Sequence, residues 1–70
     1  MTIIIYDLPG NDLTLVNTST FSECCSQCQL HTGCGAFTWI TTGYYSGYCY
    51  IKYFAGVPVN VSGYYLSAYF

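Results

Sequence analysis

Thr20-Phe21-Ser22-Glu23-Cys24-Cys25-Ser26-Gln27-Cys28, running on through Gly33-Cys34-Gly35-Ala36-Phe37-Thr38-Trp39, is the stretch whose reading decides the fold. It holds four of the five cysteines. Thr20 and Glu23 stand at capping-box spacing, where a hydroxyl takes the N3 amide and a carboxylate reaches back to the cap. Phe21, Cys24, Cys25 and Cys28 then recur at i, i+3, i+4 and i+7, one face of a helix. The spacing predicts a helix over residues 20–31. Gly33 is placed to stop it, because glycine enters the left-handed region without steric cost. Cys24 and Cys28 project the same way from that helix. With Cys34 just past its end and Cys49 in a later apolar run, the cysteines read as a cross-link plan.

Outward from this stretch the chain reads as strands and turns. Thr2-Ile3-Ile4-Ile5-Tyr6 is β-branched and aromatic without alternation, so both of its faces want cover. Leu8-Pro9-Gly10-Asn11-Asp12 has turn chemistry, and Leu13 to Val16 is a short strand after it. Gly35 to Thr41 is a strand with Phe37 and Trp39 on one face and Ala36, Thr38 and Ile40 on the other. Thr42 to Gly47 is a hairpin loop with Tyr44 and Tyr45 at its tip. Tyr48 to Phe54 returns as a strand, with Cys49, Ile51 and Tyr53 sharing a face. Ala55-Gly56-Val57-Pro58 breaks that strand, and Tyr64 to Phe70 is the last one. The chain has no repeat, linker or low-complexity tract. Its length makes residues 1–70 one small domain.

The residues Glu23-Cys24-x-x-x-Cys28-x5-Cys34-x-Ala36-Phe37-Thr38-Trp39, then Cys49-Tyr50-Ile51-Lys52, resemble the PAN/apple family, as does Pro9-Gly10-Asn11-Asp12-Leu13 upstream. The likeness covers roughly residues 7–54. It implies an α+β fold in which one helix lies on a curved antiparallel sheet, stapled by disulfides. Carried over by position, it implies the pairs Cys24–Cys49 and Cys28–Cys34. On a chain-entropy account these links contribute about 3.5 and about 2 kcal/mol, comparable to the whole stability of so small a domain. The chain resembles a short form of the family, since nothing in it can form the disulfide that joins the ends of longer apple domains. Cys25 is additional and has no partner in the family pattern. It is expected to be free and buried, or bonded between chains.

Composition narrows the function. The bases are Lys52 and, weakly, His31. The acids are Asp7, Asp12 and Glu23, and the net charge is −2. Nucleic-acid binding needs several Lys or Arg against phosphates, and anionic lipid heads need the same, so both are excluded as partners. No run is long enough to span a bilayer as a helix. Cysteine density in a core this small points to an oxidising, extracellular setting. No secretory signal is visible, so an exported protein would be read here as a mature form or a fragment. Asn17-Thr18-Ser19 and Asn60-Val61-Ser62 are glycosylation sequons in Ser/Thr/Asn/Gly-rich stretches expected to be exposed loops, and glycans on Asn17 and Asn60 would offset the lack of charge.

Catalytic and metal chemistry find little support in the residue pattern. Cys25-x-x-Cys28 with His31 offers zinc ligands on paper. There is no second such pair, though, and three cysteines within one helical turn do not face one tetrahedral ion. A redox site of thioredoxin type needs a βαβ frame. A Cys–His nucleophile needs a base and an oxyanion hole in a pocket, while His31 at a helix end has a simpler role beside the helix dipole. The expectation is a non-enzymatic module without metal or cofactor.

The aromatics carry the functional signal: nine Tyr, four Phe and one Trp exceed what a core of this size buries. Exposed tyrosines stack on sugar rings or anchor protein contacts. Tyr44 and Tyr45 are the contact candidates at the loop tip, with Ile3 and Ile5 on the N-terminal strand. The leading expectation is a glycosylated, self-associating structural subunit, a homo-oligomer or a head-to-tail filament joined through residues 2–6. The alternative is a carbohydrate- or protein-binding module from a larger secreted protein.

Overall fold

The computed structural model of the protein describes residues 1–59 and 63–70. Its elements in chain order are β1 (Thr2–Ile4), β2 (Asp12–Asn17), α1 (Phe21–Leu30), β3 (Ala36–Ile40), β4 (Tyr48–Lys52) and β5 (Tyr65–Tyr69). The five strands make one antiparallel sheet in the order β1-β5-β3-β4-β2. Helix α1 lies across β2, β3 and β4. This is the α+β arrangement of one helix on an antiparallel sheet.

Thr20 caps α1 with extended backbone, and its hydroxyl oxygen accepts from the Glu23 amide at 3.1 Å. The reciprocal arm differs from the ideal box: the Thr20 hydroxyl donates to the Glu23 carboxylate at 3.3 Å. The helix ends at Leu30, one residue short of the expected end, because His31 is already extended. Gly33, at φ 88°, therefore reverses the chain beyond the helix rather than capping it. That reversal is closed by the Cys34 amide on the His31 carbonyl at 3.1 Å, and it brings Cys34 back beside Cys28.

Strand alternation divides the core into two layers. Phe37, Cys49, Ile51 and Ala68 point to the helix and are fully buried with Cys24 and Cys28. Phe21 and Phe37 meet here with ring centroids 5.2 Å apart. Ala36, Thr38, Ile40, Lys52 and Ser67 occupy the opposite face and are buried as well. Thr38 and Ser67 satisfy each other's hydroxyls at 2.7 Å, which lets both sit in the interior. Leu8, the first residue of the stretch with turn chemistry, is fully buried. The chain turns within that stretch at Gly10 and Asn11, which take positive φ.

Several strands are shorter than their composition suggests. β4 stops at Lys52, whose carbonyl accepts from Gly35, while the Tyr53 amide turns to the Asn11 carbonyl, each at 2.9 Å. Tyr53 therefore does not join Cys49 and Ile51 on the helix face and is exposed. β1 stops at Ile4 because the next residues leave β5 so that Asp7 and Val59 can bridge through both backbone groups, at 3.0 and 2.8 Å. Pairing of β1 with β5 aligns Thr2, Ile3 and Ile4 with Tyr69, Ala68 and Ser67. Gly35 is required where β3 begins, since a Cβ there would overlap the Tyr53 carbonyl oxygen.

Candidate functional site

Cys24 is bonded to Cys49 and Cys28 to Cys34, with S–S distances of 2.08 and 1.95 Å. The first bond ties α1 to β4 through the centre of the core. The second ties the helix to the turn that follows it. Cys25 is free and half-buried, with its sulfur 3.9 Å from that of Met1. His31 sits beside the end of α1, where its Nδ1 lies 2.8 Å from the Gln27 carbonyl. The thiols of four cysteines are thus consumed in cross-links, and the histidine is engaged with the helix end.

The chemistry of the surface gathers on the sheet face away from the helix. β4 presents Tyr48, Tyr50 and Lys52 there in alternation, and β5 presents Tyr65. The segment leading into β2 crosses the end of this face. Between them lies an open cavity of about 250 Å³. Ile40, Tyr50 and Tyr65 line it from the sheet, Asp7, Pro9 and Gly10 from the crossing segment, and Asp12 and Lys52 complete the lining.

Lys52 is the anchor of this site. It is only 3% exposed, yet its ammonium is fully engaged. It lies 2.5 Å from Asp12 Oδ1, donates to the Gly10 carbonyl at 3.0 Å, and stands 5.5 Å over the Tyr50 ring. The pair aligns because Asp12 and Lys52 are cross-strand partners at the β2–β4 edge, beside the irregularity between Asp12 and Thr14. The only strong base of the chain is therefore neutralised inside the site and offers no free positive charge. Burial pushes the Tyr50 phenol above its ordinary value of 10.0, helped by the Asp12 carboxylate and by the phenols of Tyr65, Tyr48 and Tyr45. Tyr50 thus stays a neutral hydrogen-bond donor at physiological pH.

From this cavity a line of tyrosines runs outward. Tyr45 packs edge-on against Tyr48 with centroids 5.3 Å apart, and Tyr44 against Tyr45 at 5.0 Å. Tyr44 is 91% exposed at the tip. The loop is held by the Ser46 amide on Gly43, the Gly47 amide on Ile40 and the Tyr48 amide on Tyr45. The structure thus brings the Tyr44 and Tyr45 tip into continuity with the cavity. Ile3 and Ile5 are exposed at the β1 edge, outside the cavity. Asn17, placed in a loop by the sequence reading, is the last residue of edge strand β2 and is exposed. Asn60 lies outside the described residues. Asp7, Asp12, Tyr50, Tyr65 and Lys52 were not singled out from sequence as site residues. The alternation Tyr48-x-Tyr50-x-Lys52 on one strand face was the signal available for two members of the group, Tyr50 and Lys52.

The family profile of the PAN domain matches residues 6–52 of the chain, well over half of it. No curated protein and no solved structure matches significantly. The match spans β2 to β4. β5 lies beyond it, yet occupies the sheet position between β1 and β3. Among the described residues no helix is long and apolar enough to cross a membrane.

Proposed function

The chain belongs to the PAN domain family, whose members are typically non-enzymatic modules that bind proteins or carbohydrates, and from that premise we propose that it is an extracellular glycan-recognition module, folded as one unit over residues 1–70. The carrying observation is the cavity lined by Tyr50 and Tyr65 from the sheet, by Asp7, and by the Asp12–Lys52 pair. Sugar recognition needs an aromatic surface for the apolar face of the ring and fixed donors and acceptors for its hydroxyls. Here the acceptors are carboxylates and the donors are phenols. The buried ion pair holds its part of the lining in one geometry, which lowers the ordering cost of binding. The disulfides support the extracellular placement. A glycan array probed with the folded chain tests the reading. Binding that Tyr65→Ala abolishes, with the far-ultraviolet spectrum unchanged, supports it. An array without carbohydrate binding refutes it.

Self-association remains a second reading, favoured by the exposed Ile3 and Ile5 beside the outer edge of β1. β1 already has β5 as its partner on one side, so the strand would join a second copy through its other edge. In that reading Asn17 and Asn60 carry glycans that keep the remaining apolar surface soluble. Light scattering of the purified chain, with and without residues 2–6, separates the two readings. Large assemblies lost on truncation support the structural subunit, and a monomer from the intact chain removes it.

A further inference from the structure

We propose that the site takes a neutral glycan chain of several sugar units, gripping one unit in the cavity and laying the following units along Tyr48, Tyr45 and Tyr44. This rests on the glycan reading above and adds the length and charge class of the ligand.

The length follows from continuity. Tyr50, which lines the cavity, and Tyr48 alternate on the same face of β4, so the line leaves the cavity along that strand. Tyr45 and Tyr44 extend it at centroid spacings of 5.3 and 5.0 Å. The ring pairs are near-perpendicular, at 65° and 80°, so Tyr45 has an aromatic neighbour on either side. A single sugar held in the cavity leaves the tyrosine line unused. Tyr44, 91% exposed at a loop tip tied by three backbone hydrogen bonds, buries little of its ring in the fold beyond its edge contact with Tyr45.

The charge class follows from Lys52. Polyanionic glycans are held by free Lys and Arg, because each sulfate or carboxylate needs a cation or several donors to replace its water. The chain has no Arg, and its one Lys is buried and already paired with Asp12. Asp7 lines the same cavity. The local charge is therefore negative, and an anionic chain is repelled. What the surface offers is phenol hydroxyls, carboxylate acceptors and ring faces, which suit hydroxyl and acetamido groups.

Calorimetric titration of the folded chain with glucose, with β-linked di- and hexasaccharides of glucose and of N-acetylglucosamine, and with a heparin hexasaccharide tests this. At least one neutral hexasaccharide should bind about tenfold more tightly than its disaccharide, the gain expected of added contacts with two more tyrosines. The heparin fragment should show no binding. Tyr44→Ala with Tyr45→Ala should remove the length dependence, Tyr44→Phe should retain it, and Leu30→Ala on the helix surface should change nothing. Equal affinity for the disaccharide and hexasaccharide, or heparin binding above the neutral chains, overturns the inference while leaving a glycan site in place. Absence of binding to every carbohydrate overturns the glycan reading and this inference together.

Discussion

The Asp12–Lys52 pair yields an asymmetry that its geometry demands. Lys52 is 3% exposed, whereas the Asp12 side chain is 46% exposed. Asp12→Ala leaves an ammonium inside the protein with the Gly10 carbonyl as its remaining close acceptor. Removing one partner of a buried pair costs about 3–5 kcal/mol, and access of water from the Asp12 side places the loss near 3. For a chain this size the total stability is of the order of 5 kcal/mol, so a large part of it disappears. Lys52→Met removes the charge and keeps the apolar stem, while Asp12 remains able to hydrate. Its cost should stay below about 1.5 kcal/mol, as for other volume-conserving changes. The double variant should therefore be more stable than Asp12→Ala alone. Urea denaturation followed by Trp39 fluorescence measures all four corners of the cycle. Equal losses in the two single variants, or a double variant no better than Asp12→Ala, would refute the stranded-charge account.

Three further outcomes follow from the core and the cavity. Replacing Cys24 and Cys49 by Ala should cost about 3.5 kcal/mol and replacing Cys28 and Cys34 about 2, since the bridged separations are 25 and 6 residues. The reverse order in urea midpoints would contradict a loop-entropy origin. Gly35→Ala should lose about 1–3 kcal/mol, because the added methyl meets the Tyr53 backbone rather than a movable side chain. An unchanged midpoint would show that the β3 entrance shifts freely. For Tyr50, the folded phenol binds its proton more tightly than the unfolded one. Its contribution is thus complete below the unfolded value of 10.0 and is lost as pH rises through the higher folded value. Absorbance titration should show one phenol ionising late, and Tyr50→Phe should remove it together with its share of the alkaline loss of stability.

Sequence alone determined the parts of this protein that depend on near neighbours. The helix follows from the Thr20–Glu23 cap and the spacing of Phe21, Cys24, Cys25 and Cys28, all within one short segment. Phe37 and Trp39 share a strand face because alternation is a property of the strand itself. The likeness carried by Cys24, Cys28, Cys34 and Cys49 and by the Ala-Phe-Thr-Trp strand sufficed for the fold class. The poverty of charge set limits on partners before any geometry was known. Other features were decided only by tertiary structure, because each depends on segments far apart in the chain. Leu8 is core because the chain crosses the second sheet face there, although Pro9 and Gly10 beside it have turn chemistry. Lys52 stands in the sequence as the one strong base, and is buried because β2 brings Asp12 and the Gly10 carbonyl to it. β1 ends at Ile4 because Asp7 finds Val59, a partner that no local window contains. The cavity likewise exists only once β5 has set Tyr65 on the same face as Tyr50, across β3. Hydrogen bonding within a helix is written in a few consecutive residues, while the second face of a sheet is assembled from contacts that local periodicity does not encode.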